Sequence, residues 1–208
     1  MNYKLSINTS LKIIEQTFNR KFRFPNVFKS YKVIDGTKET TVPIITSEND
    51  DLISQGIWGL LPHEYEHEWK TFQKALNTLN VQVKDIAARD LFSEPYESRR
   101  CLILVTGIYI SYLEAGDLQT AFIQKENQEP FTLAGIYNLT SDGFITCSII
   151  NTKEKENVIQ DKSLFLKMPV IIREEDRTPW LDSSADMQTI KNITVRANEM
   201  TGFTTKAC

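Results

Sequence analysis

Between residues 101 and 152 the chain is a succession of short apolar runs, each closed by turn residues and none long enough to form a core alone. The runs CLILVTGIYISYL (101–113), TAFIQ (120–124), FTLAGIYNLT (131–140) and FITCSIINT (144–152) are rich in β-branched and aromatic side chains, the types that suit a pleated, half-buried surface. Gly116-Asp117, Glu129-Pro130 and Ser141-Asp142-Gly143 divide them, and the last has hairpin chemistry. Strands joined by such short turns pair antiparallel.

The rest of the chain alternates helical and extended patterns. Residues 9–22 read as a helix capped by Thr9 or Ser10, with Leu11, Ile14 and Phe18 at helical spacing. Residues 24–46 read as extended chain and turns around Pro25, Asp35-Gly36 and Pro43. Residues 52–61 read as a strand that stops at Pro62, and residues 64–79 as a second helix carrying Trp69, Phe72, Leu76 and Leu79. Short helices are expected over 154–161, where Lys153-Glu154-Lys155-Glu156 forms a charge run, and over 173–182. The pattern predicts one α+β domain over 1–208, centred on a bent antiparallel sheet or partly closed barrel with flanking helices.

Charge and cysteine content narrow the function classes. Net charge is −3 with a pI of about 5.5, whereas avid nucleic-acid binders carry a basic footprint. No apolar run approaches the roughly 18–20 residues of a membrane span. The opening residues lack the pattern of a signal peptide, so a cytoplasmic protein, monomeric by default, is expected. Cys101, Cys147 and Cys208 form no CxxC pair. Cys101 and Cys147 lie in apolar runs and are expected to be buried, inert thiols.

His63-Glu64-Tyr65-Glu66-His67 formally matches HExxH, in which a helix brings two imidazoles onto one face to hold zinc. It directly follows Pro62, its surroundings are those of a solvated face, and no third ligand can be named. A zinc-dependent peptidase is therefore a remote alternative, and neither metal nor cofactor is expected.

Six blocks in order resemble the SOS-response-associated peptidase (SRAP) family. They are Met1-Asn2-Tyr3-Lys4, Trp58-Gly59-Leu60-Leu61-Pro62, Thr78-Leu79-Asn80, Arg99-Arg100-Cys101-Leu102-Ile103 leading into Gly107-Ile108-Tyr109-Ile110-Ser111, Ala134-Gly135-Ile136-Tyr137, and Lys167-Met168-Pro169-Val170-Ile171 followed by Trp180-Leu181. The resemblance implies an SRAP-like fold. It also implies a site in which a cysteine after the initiator Met uses its amine and thiol to capture the aldehyde of an abasic site in single-stranded DNA. An Asn positions the ligand there, a Glu and a His move protons, and arginines hold phosphates.

This chain departs from that pattern at most of the reacting positions. Asn2 replaces the cysteine, and a carboxamide nitrogen is not a nucleophile, so no thiazolidine can form. Asn2 is also bulkier than the second residues that usually permit removal of Met1, so Met1 is expected to be retained. Ile110 replaces the Glu. The His position falls on Phe165, or on Gln160 with a longer loop, and His63 and His67 lie about a hundred residues too early. The Asn is placed on Asn80 when no gap is allowed, which also sets Phe92 where the family has an aromatic. An alternative register uses Ala87-Ala88-Arg89. With the Asn on Asn80, Gln82 stands for the family Arg and Lys84 for an acidic residue, while Lys4 and Lys167 keep charge without the bidentate fork of Arg.

Two functions are therefore expected. One is a catalytically inactive SRAP-type domain retaining weak single-stranded DNA binding through Lys4, Asn80, Lys167 and candidates among Arg89, Arg99 and Arg100. The other is a pseudoenzyme whose more apolar cleft binds a protein or small ligand.

Overall fold

The computed structural model describes residues 3–152, 155–159, 162–196 and 202–208, with 155–159, 162–165 and 207 described by backbone alone. In chain order its elements are β1 (Lys4–Ile7), α1 (Leu11–Phe18), β2 (Lys21–Phe22), β3 (Tyr31–Asp35), β4 (Thr41–Thr46), β5 (Leu52–Trp58), α2 (Trp69–Ala75), β6 (Asn80–Gln82), α3 (Asp90–Ser98), β7 (Arg100–Val105) and β8 (Gly107–Glu114). They continue with β9 (Asp117–Lys125), β10 (Phe131–Leu139), β11 (Ile145–Asn151), β12 (Lys155–Ile159), β13 (Lys162–Leu166), β14 (Ile171–Ile172), α4 (Arg177–Leu181), α5 (Met187–Arg196) and β15 (Phe203–Ala207).

A closed five-stranded barrel forms the centre. Strand β10 pairs with both β7 and β11, and the ring continues β7–β4–β5–β11. Four of its pairings are antiparallel, and β5–β11 is parallel. The expected bent sheet thus closes completely. Its lumen is filled by side chains from alternate positions. A Cβ on Gly135 would lie 2.8 Å from Cys101 Sγ and 2.8 Å from Ile103 Cδ1, so glycine makes room there. β6 extends this sheet parallel to the far end of β11, and β14 pairs with β10.

A second, wholly antiparallel sheet has the order β15-β9-β8-β1-β3. The apolar run 101–113 is divided between the two sheets. β7 ends at Val105 in the barrel, and β8 begins at Gly107 in the second sheet. Thr106 sits at the crossing: its N–H donates to Ser6 O (2.8 Å), and its Oγ1 accepts from Asn8 N–H (2.9 Å). A Cβ on Gly107 would lie 2.2 Å from the Phe122 ring, so only glycine permits the strand to start there.

Three expected helices change shape. The first ends at Phe18, because Asn19 turns left-handed at φ 50° and the chain proceeds into β2; Ser10 is its cap. The second is shortened to Trp69–Ala75. Residues before it are pinned elsewhere: Ser141 N–H donates to His63 O (2.9 Å), and His63 Nδ1 lies 2.7 Å from Leu139 O. The expected helix over 154–161 is instead β12, paired with β13 from Lys155↔Leu166 to Ile159↔Lys162. Residues 174–181 are helical as expected.

Arg100 joins the helices to the barrel. It is fully buried. Its Nε donates to Trp180 O (2.8 Å), Nη1 to Tyr96 O (2.9 Å) and Glu97 O (2.6 Å), and Nη2 to Asp182 O (2.5 Å). These carbonyls belong to the last turns of α3 and α4, where unpaired C=O groups and the helix dipole favour a cation. Trp180 Nε1 completes the junction by donating to Cys101 O (2.9 Å).

Arg100→Met is expected to lower unfolding free energy by about 3 kcal/mol, because four carbonyls, two of them buried and two part-buried, lose their donor; urea denaturation with matched m-values checks this. Burial pushes the Cys147 thiol up to about 12 and the Cys101 thiol well above its ordinary range. A thiol reagent is therefore expected to modify exposed Cys208 in the native protein, and Cys101 and Cys147 as well only after denaturation.

Candidate functional site

A cleft of about 470 Å³ opens between the β6 edge of the barrel sheet and β8 of the second sheet. β6 contributes Asn80, Val81 and Gln82, and β8 contributes Ile110 and Ser111. Asp85, Ala88, Arg89 and Phe92 enter from the turn and helix after β6, Asn151 from the end of β11, and Leu166 and Lys167 from the end of β13. Asn77 stands at the rim.

Each side chain is placed by a local reason. Asn80 and Gln82 share one face of β6 because strand side chains alternate, while Val81 between them is buried. The pairing Asn151↔Gln82 brings a second carboxamide beside the first. Ile110 is 1 % exposed and sits on the core face of β8, the apolar flank of the cleft. Among the described residues the charged groups of the lining are Asp85, Arg89 and Lys167, all exposed.

The start of the chain reaches this cleft. Asn77 Nδ2 donates to the Tyr3 hydroxyl (3.3 Å), while burial raises the Tyr3 pKa more than that bond lowers it. Lys4 is exposed, opposite Tyr109 in β8 and Asp35 in β3. It is one of the cations that hold the Asp35 carboxyl below its usual range, after the larger effect of the Thr37 hydroxyl.

The structure therefore brings Asn80, Ile110, Arg89 and Lys167 together, with Lys4 on the strand that leads to the rim. Both candidate registers reach the cleft, Asn80 through β6 and Ala88-Arg89 through the following turn. Asn2 and Gln160 lie outside the described residues, as does the side chain of Phe165, whose backbone is in β13 beside the lining residue Leu166. Two candidates leave the set. Arg100 is the buried junction cation described above. Arg99 pairs with Glu94 (2.9 Å) and donates to Asn138 Oδ1 (3.1 Å), away from the lining.

The HExxH reading also fails geometrically. Residues 63–68 precede α2 instead of lying within a helix, and His63 is held by Leu139 O. Among the described residues no group of three or more His, Cys, Asp or Glu could hold a metal ion. Trp58 and Trp180 are core anchors, both fully buried, with Trp58 Nε1 donating to Leu79 O (2.8 Å). Asn151, Asp85 and Ser111 were not singled out from sequence. A polar residue closing an apolar strand run was the available signal for Asn151.

No helix among the described residues is long and apolar enough to cross a membrane. The chain is 25% identical over 158 residues to the abasic site processing protein YobE of Bacillus subtilis (strain 168), covering 74% of this chain and 68% of that one. A crystal structure of a Bacteroides thetaiotaomicron protein superposes with a TM-score of 0.83 at 22% identity, covering 99% of this chain and 91% of that one. A Bordetella bronchiseptica protein gives 0.78 at 12% identity over 99% of both chains. A phage-related protein of the same organism gives 0.67 at 15% identity over 100% of this chain and 94% of that one. These likenesses share the fold, and the model of the SOS response associated peptidase (SRAP) family matches residues 1–206; the chain belongs to that family.

Proposed function

We propose that this SRAP domain binds single-stranded DNA without forming a covalent link to it. The supporting observation is the chemistry of the cleft. Its lining holds carboxamides at Asn77, Asn80, Gln82 and Asn151, cations at Arg89 and Lys167, and Ile110 where the family resemblance places a proton-transferring Glu. Covalent capture of an aldehyde needs a nucleophile and groups that move protons. None of the three thiols is among the lining residues: Cys101 and Cys147 are buried in barrel strands, and exposed Cys208 donates its backbone N–H to Thr120 O of β9, one strand from the lining residue Ser111. The two imidazoles belong to the segment before α2.

Non-covalent binding requires only what remains. Arg89 and Lys167 stand exposed at the mouth, where phosphates can displace counterions, and Lys4 lies on the adjoining strand. With an overall charge of −3, the attraction is local and moderate. The abasic-site role named for YobE is thereby carried over as strand recognition, without the covalent capture that the family resemblance implies.

Two measurements test this. Incubation with a single strand carrying one abasic site is expected to leave no covalent band on a denaturing gel; a stable band refutes the reading. Fluorescence anisotropy with an intact strand is expected to show log K falling with log salt at a slope of about −2, as for about three neutralised phosphates on a single strand. R89Q/K167Q is expected to reduce that slope by roughly 1.4. Absence of binding at low salt would favour a protein or small ligand as the occupant instead.

A further inference from the structure

The second sheet turns one face to the core and the other outward. Strand side chains alternate, and Leu5, Ile108, Ile110, Ala121 and Ile123 are all buried. Tyr109 and Phe122 therefore stand on the opposite face, where both are partly exposed. They are direct partners across β8 and β9, and the row continues to Lys4 of β1 on one side and Lys206 of β15 on the other. Both lysines are exposed.

The two rings touch, with centroids 4.7 Å apart and planes at 40°. The Tyr109 hydroxyl donates to Lys32 O of β3 (3.2 Å), two strands away, so its side chain lies across β1. The Phe122 ring lies against Gly107, where a Cβ would come within 2.2 Å of it. Anchored in this way, the pair reaches along the sheet instead of into the core, and it leaves ring surface at the solvent boundary.

Charge and position define the occupant. From Lys4 to Lys206 the row spans three strand spacings, about 14 Å, with the rings between the two cations. Asp35 closes the row on the far side of Lys4 from the rings, where the Thr37 hydroxyl donates to it (2.7 Å) and Lys4 and Lys38 offset its charge. A cation–aromatic–aromatic–cation order suits a polyanion whose links carry flat rings, because lysines meet phosphates and stacking tolerates any base. A duplex keeps its base faces covered, so the order favours a single strand. The row also adjoins the cleft. Lys4 follows Tyr3, whose hydroxyl accepts from Asn77 Nδ2 at the rim, and Ser111 lines the cleft two residues along β8 from Tyr109.

We propose that Tyr109 and Phe122, between Lys4 and Lys206, form a base-stacking platform on which a single strand continues after leaving the cleft. This deepens the strand-binding reading, and it rests on that reading for the segment held at Arg89 and Lys167.

Oligothymidine with 5-bromodeoxyuridine at successive positions tests the placement on unaltered protein. Ultraviolet irradiation is expected to join the strand to a peptide containing Tyr109 or Phe122, identified by mass spectrometry. Anisotropy then compares a short strand that fills the cleft with a long one that also crosses the sheet face. Y109L and F122L are each expected to weaken the long strand by about tenfold, the loss typical of one stacked base, and to leave the short strand unchanged. The long strand meets Lys206 in addition to the cleft cations, so its salt slope is expected to be steeper by about 0.7, and K206Q to remove that difference. A variant that failed to fold would lose the short strand as well, and the crosslink on unaltered protein does not depend on any variant. Crosslinks confined to cleft residues, with Y109L and F122L binding the long strand as the unaltered protein does, would overturn the platform while leaving strand binding intact. If no strand binds at low salt, the strand reading fails and the platform with it, which leaves the face to a protein partner.

Discussion

The crossing at Thr106–Gly107 determines where the cleft lies. β7 must leave the barrel there, because the Thr106 N–H bonds to Ser6 O of the second sheet and its hydroxyl bonds to the Ser6 hydroxyl (3.2 Å). Gly107 lets the Phe122 ring close over the new strand. As a result β7 ends as a barrel stave and β8 begins as the centre of another sheet. Ile110 and Ser111 then face β6 across a gap instead of packing inside the barrel. Had the run 101–113 continued straight, the two walls of the cleft would belong to one sheet and no cavity would separate them.

Charge is divided within this frame according to solvent. Arg100 is held inside by carbonyls at two helix ends, so its cost of burial is offset by dipoles already present in the fold. Arg99, one residue earlier, faces outward and pairs with Glu94. An ion pair with an exposed partner is worth little, so Arg99 serves mainly to tie the end of α3 to Asn138 of β10. Adjacent arginines in one block therefore have unrelated roles, set by which side of the sheet edge each faces.

How much of this was legible in sequence depended on the range of the signal. Block order carried Asn80, Ile110 and Lys167 to one cleft, since all three lie in segments whose resemblance runs through neighbouring residues. Turn chemistry at Ser141–Gly143 correctly marked the β10–β11 hairpin. Periodicity could not show that an unbroken apolar run crosses between sheets, because both sheets bury alternate residues of it. It also extended α2 too far in both directions. Leu79 is buried beyond the helix, in the bend before β6, and residues 64–68 lie before its first turn. The parallel pairing that sets Asn151 against Gln82 joins segments nearly seventy residues apart, and no local pattern announces it.

Under the proposed non-covalent reading, the same pairing means that a loss of reactive groups need not leave an inert cavity. Proton carriers and a nucleophile contribute to a binding site only while bonds are being made, whereas oriented dipoles act on any ligand that remains. Where the resemblance implies an arginine, Gln82 would offer a short-range, directional attraction in place of a long-range one. Charge–charge attraction draws in any strand regardless of base, because every nucleotide carries a phosphate. In the proposed reading, the cations exposed at the mouth draw in the strand and the carboxamides of β6 and β11 meet it at short range.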